Sequence, residues 1–217
     1  MTKVSTSKLK PPAARYHHGD LRQALLVAAE AELIEKGVEA FSLRGVAKRA
    51  GVSHSAPAHH FKDARGLLTE LAAQGYKRFI QAQEKRQQSA AKESEAQLAA
   101  SGLGYIDFAT DNPALFRLMF SSERPDKSAS ALSDGADAAF SKLVADVRAI
   151  AKIDPHADQL AMTDVLAAWA IVHGLADLSI AARLGRITFF SGMTPLERDR
   201  VFSEIILRAS TVKSSHE

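Results

Sequence analysis

An all-α fold is what this sequence predicts, and three observations predict it. Apolar residues recur three and four apart in segment after segment, the spacing that places them on one face of a helix. Helix-start signatures recur as well: Ser, Thr, Asp or Asn followed by a first-turn proline, or by Glu or Gln three residues on. The one β-like run, residues 187–190, is too short to build a sheet.

Taken in order, residues 1–19 carry Lys3, Lys8, Lys10 and Arg15 with Pro11-Pro12 and little apolar content, which predicts a flexible basic arm. Asp20, with Gln23 three residues later, is the expected cap of a first helix whose apolar face is Leu21, Leu25, Ala28, Ala29 and Leu33 and which Gly37 ends. Ser42 caps a second, Leu43–Ala50. Gly51-Val52 turns the chain, and Ser53 is expected to cap a third helix reaching about His60. Asp63 opens a fourth to about Gln88, with Leu67, Leu68, Leu71, Tyr76, Phe79 and Ile80 at its apolar positions. Further helices are expected over about 93–110, from Asn112-Pro113, and over about 136–152 after a polar loop 121–135. Two more run from Asp154-Pro155 to about Gly185 and from Thr194-Pro195 to about Ser210. The organisation is an arm (1–19), a three-helix domain with a helix-turn-helix (20–65) and a larger helical domain (66–217).

With 46% hydrophobic residues the chain can bury a sizeable core. It has no cysteine, which excludes disulfides, thiol nucleophiles and thiolate metal sites and fits a reducing compartment. The first twenty residues hold no apolar stretch that could serve as a signal-peptide core. The most apolar segment, 165–182, is broken by His173 and Asp177 and reads as a buried helix, not a membrane span. A soluble cytoplasmic protein is the expectation. The net charge of +3 conceals a division: residues 1–92 hold 16 Lys/Arg against 8 Asp/Glu, residues 93–217 hold 12 against 17. A basic first part beside an acidic remainder is the layout of a chain of which only the first part meets a polyanion.

The stretch SLRGVAKRAGVSHSAPAHHF, residues 42–61, has the physics of two helices packed at a steep angle. Ala47 is small where the second helix crosses, and Gly51, four residues on, allows the left-handed backbone of a tight turn. Val46, Val52 and Phe61 anchor the pair. Ser53, His54, Ser55, His59 and His60 are left on a short helix with few apolar side chains of its own. Such a helix is presented outward. The major groove of double-stranded DNA accepts a helix, and Ser and His can donate to base edges and phosphates.

Residues 20–80, from DLRQALLVAAEAELIEKG through FSLRGVAKRAGVSHSAPAHHF to KDARGLLTELAAQGYKRF, resemble the amino-terminal domain of the TetR family of bacterial transcriptional regulators. The lead-in YHHGDL and the later AWAIVHGLADL, residues 168–178, resemble a subgroup with a Trp-His-Gly motif in its effector domain. The resemblance implies three DNA-binding helices followed by a helical domain that binds a small effector and dimerises through its last two long helices. It implies a repressor that binds a palindromic operator as a homodimer and is released by the effector. Position by position, Ser42 would cap the second helix against a phosphate and Arg44 would reach DNA from the first turn. Ser53, His54, Ser55 and Ala56 would begin the recognition helix, and His59, His60 and Lys62 would approach backbone phosphates. Many members carry leucine and tyrosine where this chain has Pro57 and Ala58, which shifts the expected contacts toward His59, His60 and the arm. The other function compatible with such a head is constitutive DNA binding or DNA organisation without a ligand. A solid second domain would favour it, an open cavity the regulator.

Trp169 and His173, four apart, share a helix face; they either pack in the core or line a ligand cavity with Phe108, Phe116, Met119 and Phe120. Such a lining suits a hydrophobic or planar effector. Gly174, four after Ala170, predicts a close helix approach across a dimer interface or over the pocket. There is no His-x-x-x-His, no Glu-x-x-His and no thiol, so no metal or other cofactor is expected. Enzyme activity is not expected either. Gly51-Val52-Ser53-His54-Ser55 lacks the final glycine of a nucleophile elbow, and Gly102-Leu103-Gly104 does not continue as a dinucleotide loop.

Overall fold

The computed structural model describes residues 18–211, with side chains for 21–208. The expected arm therefore lies outside the described residues, except that His18 and Gly19 already belong to the first helix. The helices are α1 (His18–Lys36), α2 (Leu43–Ala50), α3 (Ala56–Phe61), α4 (Ala64–Ser89), α5 (Ser94–Asp111), α6 (Pro113–Phe120), α7 (Ser130–Ala151), α8 (Gln159–Ile180) and α9 (Pro195–Thr211). Two 3₁₀ turns, Leu184–Arg186 and Thr188–Phe190, follow α8, the second of them within the β-like run, and no strand occurs among the described residues.

α1 begins at His18, so Asp20 lies within it and is not its cap residue, whereas local chemistry sets the bounds of α2 and α3 and the start of α4. Ser42 Oγ accepts the Gly45 N–H at 3.1 Å, and Asp63 Oδ1 accepts the Gly66 N–H at 2.8 Å. Gly51 takes φ +67° and returns the chain, with the Val52 N–H donating to the Ala47 carbonyl at 3.0 Å. The third helix departs from expectation: it begins at Ala56, with Ser55 as its cap residue, and Ser53 does not cap it. A helix capped at Ser53 would need the Pro57 N–H to donate to the Ser53 carbonyl, and proline has none. The Ala56 N–H takes that carbonyl instead, at 3.0 Å, and the first helical bond runs from His59 N–H to the Ser55 carbonyl at 3.2 Å.

The later helices shift where tertiary packing overrides the local signal. α7 starts six residues before the expected 136, because Leu132 is buried and Gly135 lies against the Tyr76 ring, so a polar-looking segment winds onto the core. α8 is capped by Asp158, which accepts the Leu160 and Ala161 N–H groups, whereas Asp154-Pro155 forms a separate turn ahead of it. It ends at Ile180, short of Gly185. Thr194 and Glu197 exchange hydrogen bonds at the start of α9 as a capping box.

One apolar core runs without a break from Leu25, Leu33 and Val46 through Leu67, Leu68 and Leu71 of α4 to Phe116, Val165 and Ile206. α4 thus belongs to both ends of the molecule. α5 lies close on it: a Cβ at Gly104 would stand 2.5 Å from Gln83 Cα and 2.6 Å from the Ala82 carbonyl oxygen. Arg86 joins α4 to α5 and α9, donating to both oxygens of Asp107 and, at 2.7 Å, to Asp199. Helix α8 is long and apolar enough to cross a membrane by length and composition. Its inner face of Ala161, Val165, Ala168, Val172 and Ala176 is nonetheless buried on its neighbours.

Candidate nucleic-acid interface and interior cavity

The head, α1–α3, is assembled around a buried charge. Glu32 of α1 is 5% exposed, and its Oε2 accepts from Arg49 Nε of α2 at 2.6 Å. The carboxylate fits only because α2 carries glycine there: a Cβ at Gly45 would stand 1.9 Å from Glu32 Oε1. Removing Arg49 would leave the Glu32 carboxylate buried without its counter-charge, whereas Arg49, reached by solvent, would lose only a partner. Arg49 also bonds Glu35. The hydrogen bond from Lys36, and after it that from Arg49, brings the Glu35 carboxyl down from its ordinary 4.5 to about 2.

α3 rests on Pro57 and Phe61, both buried, and the Arg22 guanidinium covers the Phe61 ring at 4.9 Å while pairing with Glu70 at 3.0 Å. The proline that departs from the family pattern is thus an anchor of the helix. Ser53, His54, Ser55 and His59 are exposed, as is Ala58, whereas Ala56 and His60 are half-buried. The Ser53 and Ser55 hydroxyls lie 3.2 Å apart in the turn ahead of the helix. Behind it the backbone makes a tight γ-turn, with Lys62 at φ +69°, ψ −62° and the Asp63 N–H donating to the Phe61 carbonyl at 2.8 Å. This turn is rare and strained for a residue with a Cβ, and its Lys62 is exposed.

Ser42 and Arg44 sit exposed on the first turn of α2. Arg44, Lys48 and Lys62 are exposed and make no ion pair among the described residues, unlike Arg22, Arg49 and Arg65. Lys48 was not singled out by sequence; its signal was a basic residue on the exposed side of a short helix whose apolar side is Val46 and Ala47. Unneutralised cations on a rigid helix pair are what a phosphate backbone attracts.

Behind α4 lies a cavity of about 440 Å³, with contributions from every helix between α4 and α9. Met119, Phe120 and Trp169 line it. Phe108 and Phe116 are buried behind that wall, Phe108 against Phe79 at 5.4 Å and Phe116 against Phe120 at 4.8 Å. His173 also stands one layer back: its Nδ1 shares a 2.7 Å hydrogen bond with the hydroxyl of Tyr105, which does line the cavity. Burial raises the Tyr105 pKa, so the phenol stays neutral. Phe79 and Phe140, on α4 and α7, were not foreseen as lining, because facing helices meet only in the folded chain. Among the described residues no three His, Asp or Glu side chains converge as a metal site would require.

Residues 25–71 match the family model of bacterial regulatory proteins of the tetR family, and residues 98–208 match that of the tetracyclin repressor-like C-terminal domain. A protein of unknown function from Rhodococcus sp. RHA1 is 32% identical, with 91% of this chain and 95% of that one covered at a TM-score of 0.70. A TetR-like transcriptional regulator from the same organism shares the fold at 12% identity, covering 92% and 100% at a TM-score of 0.66. So does the TetR family transcriptional regulator PfmR from Thermus thermophilus, at 20% identity, 85% and 97% coverage and a TM-score of 0.59. No curated protein sequence matches the chain.

Proposed function

The chain belongs to the TetR family of bacterial transcriptional regulators, and from that premise we propose that it is a ligand-responsive repressor. It binds a palindromic operator as a homodimer in the cytoplasm and is released by a small effector. Residues 20–65 read DNA; residues 66–217 bind the effector and dimerise.

One loop carries this reading. Residues 121–129 touch both ends of the molecule: Lys127 borders the cavity, and Arg124 donates to the main-chain carbonyls of Val38 and Glu39 in the α1–α2 turn. The Asp126 N–H donates to Thr69 Oγ1 at 2.8 Å on α4. An effector moves the head by as much as its affinities for two arrangements of this loop differ. The cavity itself favours this over constitutive DNA binding, for which a solid second domain suffices.

In this reading Ser42, Arg44, Ser53, His54, Ser55, Ala56, His59, His60 and Lys62 meet the DNA. Met119, Phe120 and Trp169 touch the effector, and Phe108, Phe116 and His173 hold those walls in place. α8 and α9 form the dimer seam. Leu166 and Leu178 are exposed on α8, and a Cβ at Gly174 between them would meet nothing in its own chain, leaving room for a second copy to approach closely.

Sedimentation of the purified protein and sequencing of the genomic fragments it captures test the proposal together. The expected result is a dimer and an inverted repeat whose half-sites lie about 34 Å apart, or a multiple of one DNA turn. A stable monomer, or captured fragments with no shared inverted repeat, overturns it.

A further inference from the structure

Granted the cavity's role as the effector site, on which this rests, we propose that it takes an uncharged aromatic molecule bearing a hydrogen-bond acceptor, held by the side-chain amide of Gln83. Six of the lining residues are aromatic, set among Leu, Ala, Val, Ile and Met side chains. Phe79 meets Tyr105 edge-on at 4.7 Å and Phe120 at 5.8 Å, Tyr105 and Phe120 lie nearly parallel at 6.0 Å, and Phe140 stands 6.1 Å from Trp169. Ring faces and edges give an aromatic guest offset-stacked and edge-to-face contacts that an aliphatic guest of equal area does not make.

Charge is confined to the margin. The charged residues among those lining the cavity are Lys127 and Asp137; both are exposed, and Lys127 is engaged with Glu123 at 2.5 Å. A charged guest would surrender its hydration without meeting a buried counter-charge.

Besides the hydroxyls of Tyr76 and Tyr105, the second bonded to His173, polarity among the buried lining residues comes from one pair. Gln83 is 5% exposed and Ser101 4%; Ser101 Oγ donates to Gln83 Oε1 at 2.8 Å. Gln83 Nε2 reaches only the Phe79 carbonyl, at 3.5 Å, the outer limit of a hydrogen bond. That carbonyl also fixes the amide's orientation, since only the nitrogen can face it. Gln83 lines the cavity, and its buried NH₂ group keeps an N–H without a partner among the described residues. A carbonyl or ether oxygen on the guest fills it, and leaving it unfilled carries a desolvation penalty.

The test uses the full chain and four probes: 2-acetonaphthone, 2-methylnaphthalene, 2-naphthoate and decan-2-one. Trp169, the chain's one tryptophan, lines the cavity, so its fluorescence reports occupancy, and calorimetry gives affinities. We expect 2-acetonaphthone to bind about three- to tenfold more tightly than 2-methylnaphthalene, the size of one net hydrogen bond, and at least about tenfold more tightly than 2-naphthoate or decan-2-one. Gln83→Met should erase the advantage of the ketone over the methyl compound and leave naphthalene binding in place. Should that variant not fold, the wild-type comparison of the same two probes decides the point. Equal affinity for the ketone and the methyl compound in the wild type overturns the role of Gln83. Naphthoate or decan-2-one binding as tightly as 2-acetonaphthone overturns the uncharged aromatic class. Both results leave the cavity a ligand site, whereas failure of all four probes to bind removes the cavity reading itself.

Discussion

The head (α1–α3) and the body (α5–α9) solve opposite packing problems, with α4 common to both. In the head the inner groups are matched: Glu32 to Arg49 over Gly45, and the Ser42 and Asp63 caps to their N–H groups. What stays unmatched there is the outer face, with Arg44, Lys48 and Lys62 exposed and without an ion pair among the described residues. In the body the outside is tied by Arg86 to Asp107 and Asp199, and the inside encloses a cavity of about 440 Å³. A void forfeits dispersion contacts along its lining, which a guest restores. The head packs its interior fully and leaves charge on its outside; the body ties its outside and leaves a cavity within.

Three substitutions probe this contrast. Gly104→Ala should have the largest effect, because its Cβ would press on backbone of α4, which cannot swing aside as a side-chain tip can. It should cost about 3 kcal/mol in urea unfolding and weaken guest binding as α4 and α5 part. Stability within about 0.5 kcal/mol of wild type would show that the body tolerates a wider helix spacing than this. Arg44→Ala should leave the urea midpoint unchanged and weaken operator binding about tenfold at about 0.1 M salt. Its plot of log affinity against log salt should be shallower by about one. A shifted midpoint would mean that the outer face helps hold the head together after all.

The smallest effect is expected at Glu35. Its carboxyl titrates lower in the folded chain, about 2 against an ordinary 4.5, so its contribution is complete above 4.5 and vanishes as pH falls through 2. Thermal unfolding of the wild type and Glu35→Gln should differ slightly at pH 6 and converge by about pH 2. A difference that persists at pH 2 would assign the effect to packing.

Much of the head was legible because its signals are local. Ser42, Gly51 and Asp63 each act within four residues of themselves. The start of α3 was legible too, from the missing N–H of Pro57, but Ser53 offered a more familiar cap. Glu32 passed unnoticed although it follows Ala28 and Ala29 on the apolar face of α1, where a carboxylate has to find a cation on a neighbouring helix. In the body, helix spacing put Trp169 and His173 on one face of α8, and Met119 and Phe120 were named with them as one of two alternatives. Phe140 and the Gln83–Ser101 pair could not be placed, because their neighbourhood exists only once α4, α5 and α7 have packed.

α4 is also a lever. Its 26 residues make a rod of about 39 Å, held by Arg86 near one end and carrying the head at the other. From Arg86 to Asp63 is about 35 Å at the helical rise, so a tilt of about 5° sweeps the head through about 3 Å. In a symmetric pair the two sweeps add or cancel with the direction of tilt. In the proposed dimer, a small angular change inside the body would therefore suffice to break the match to two successive turns of a duplex.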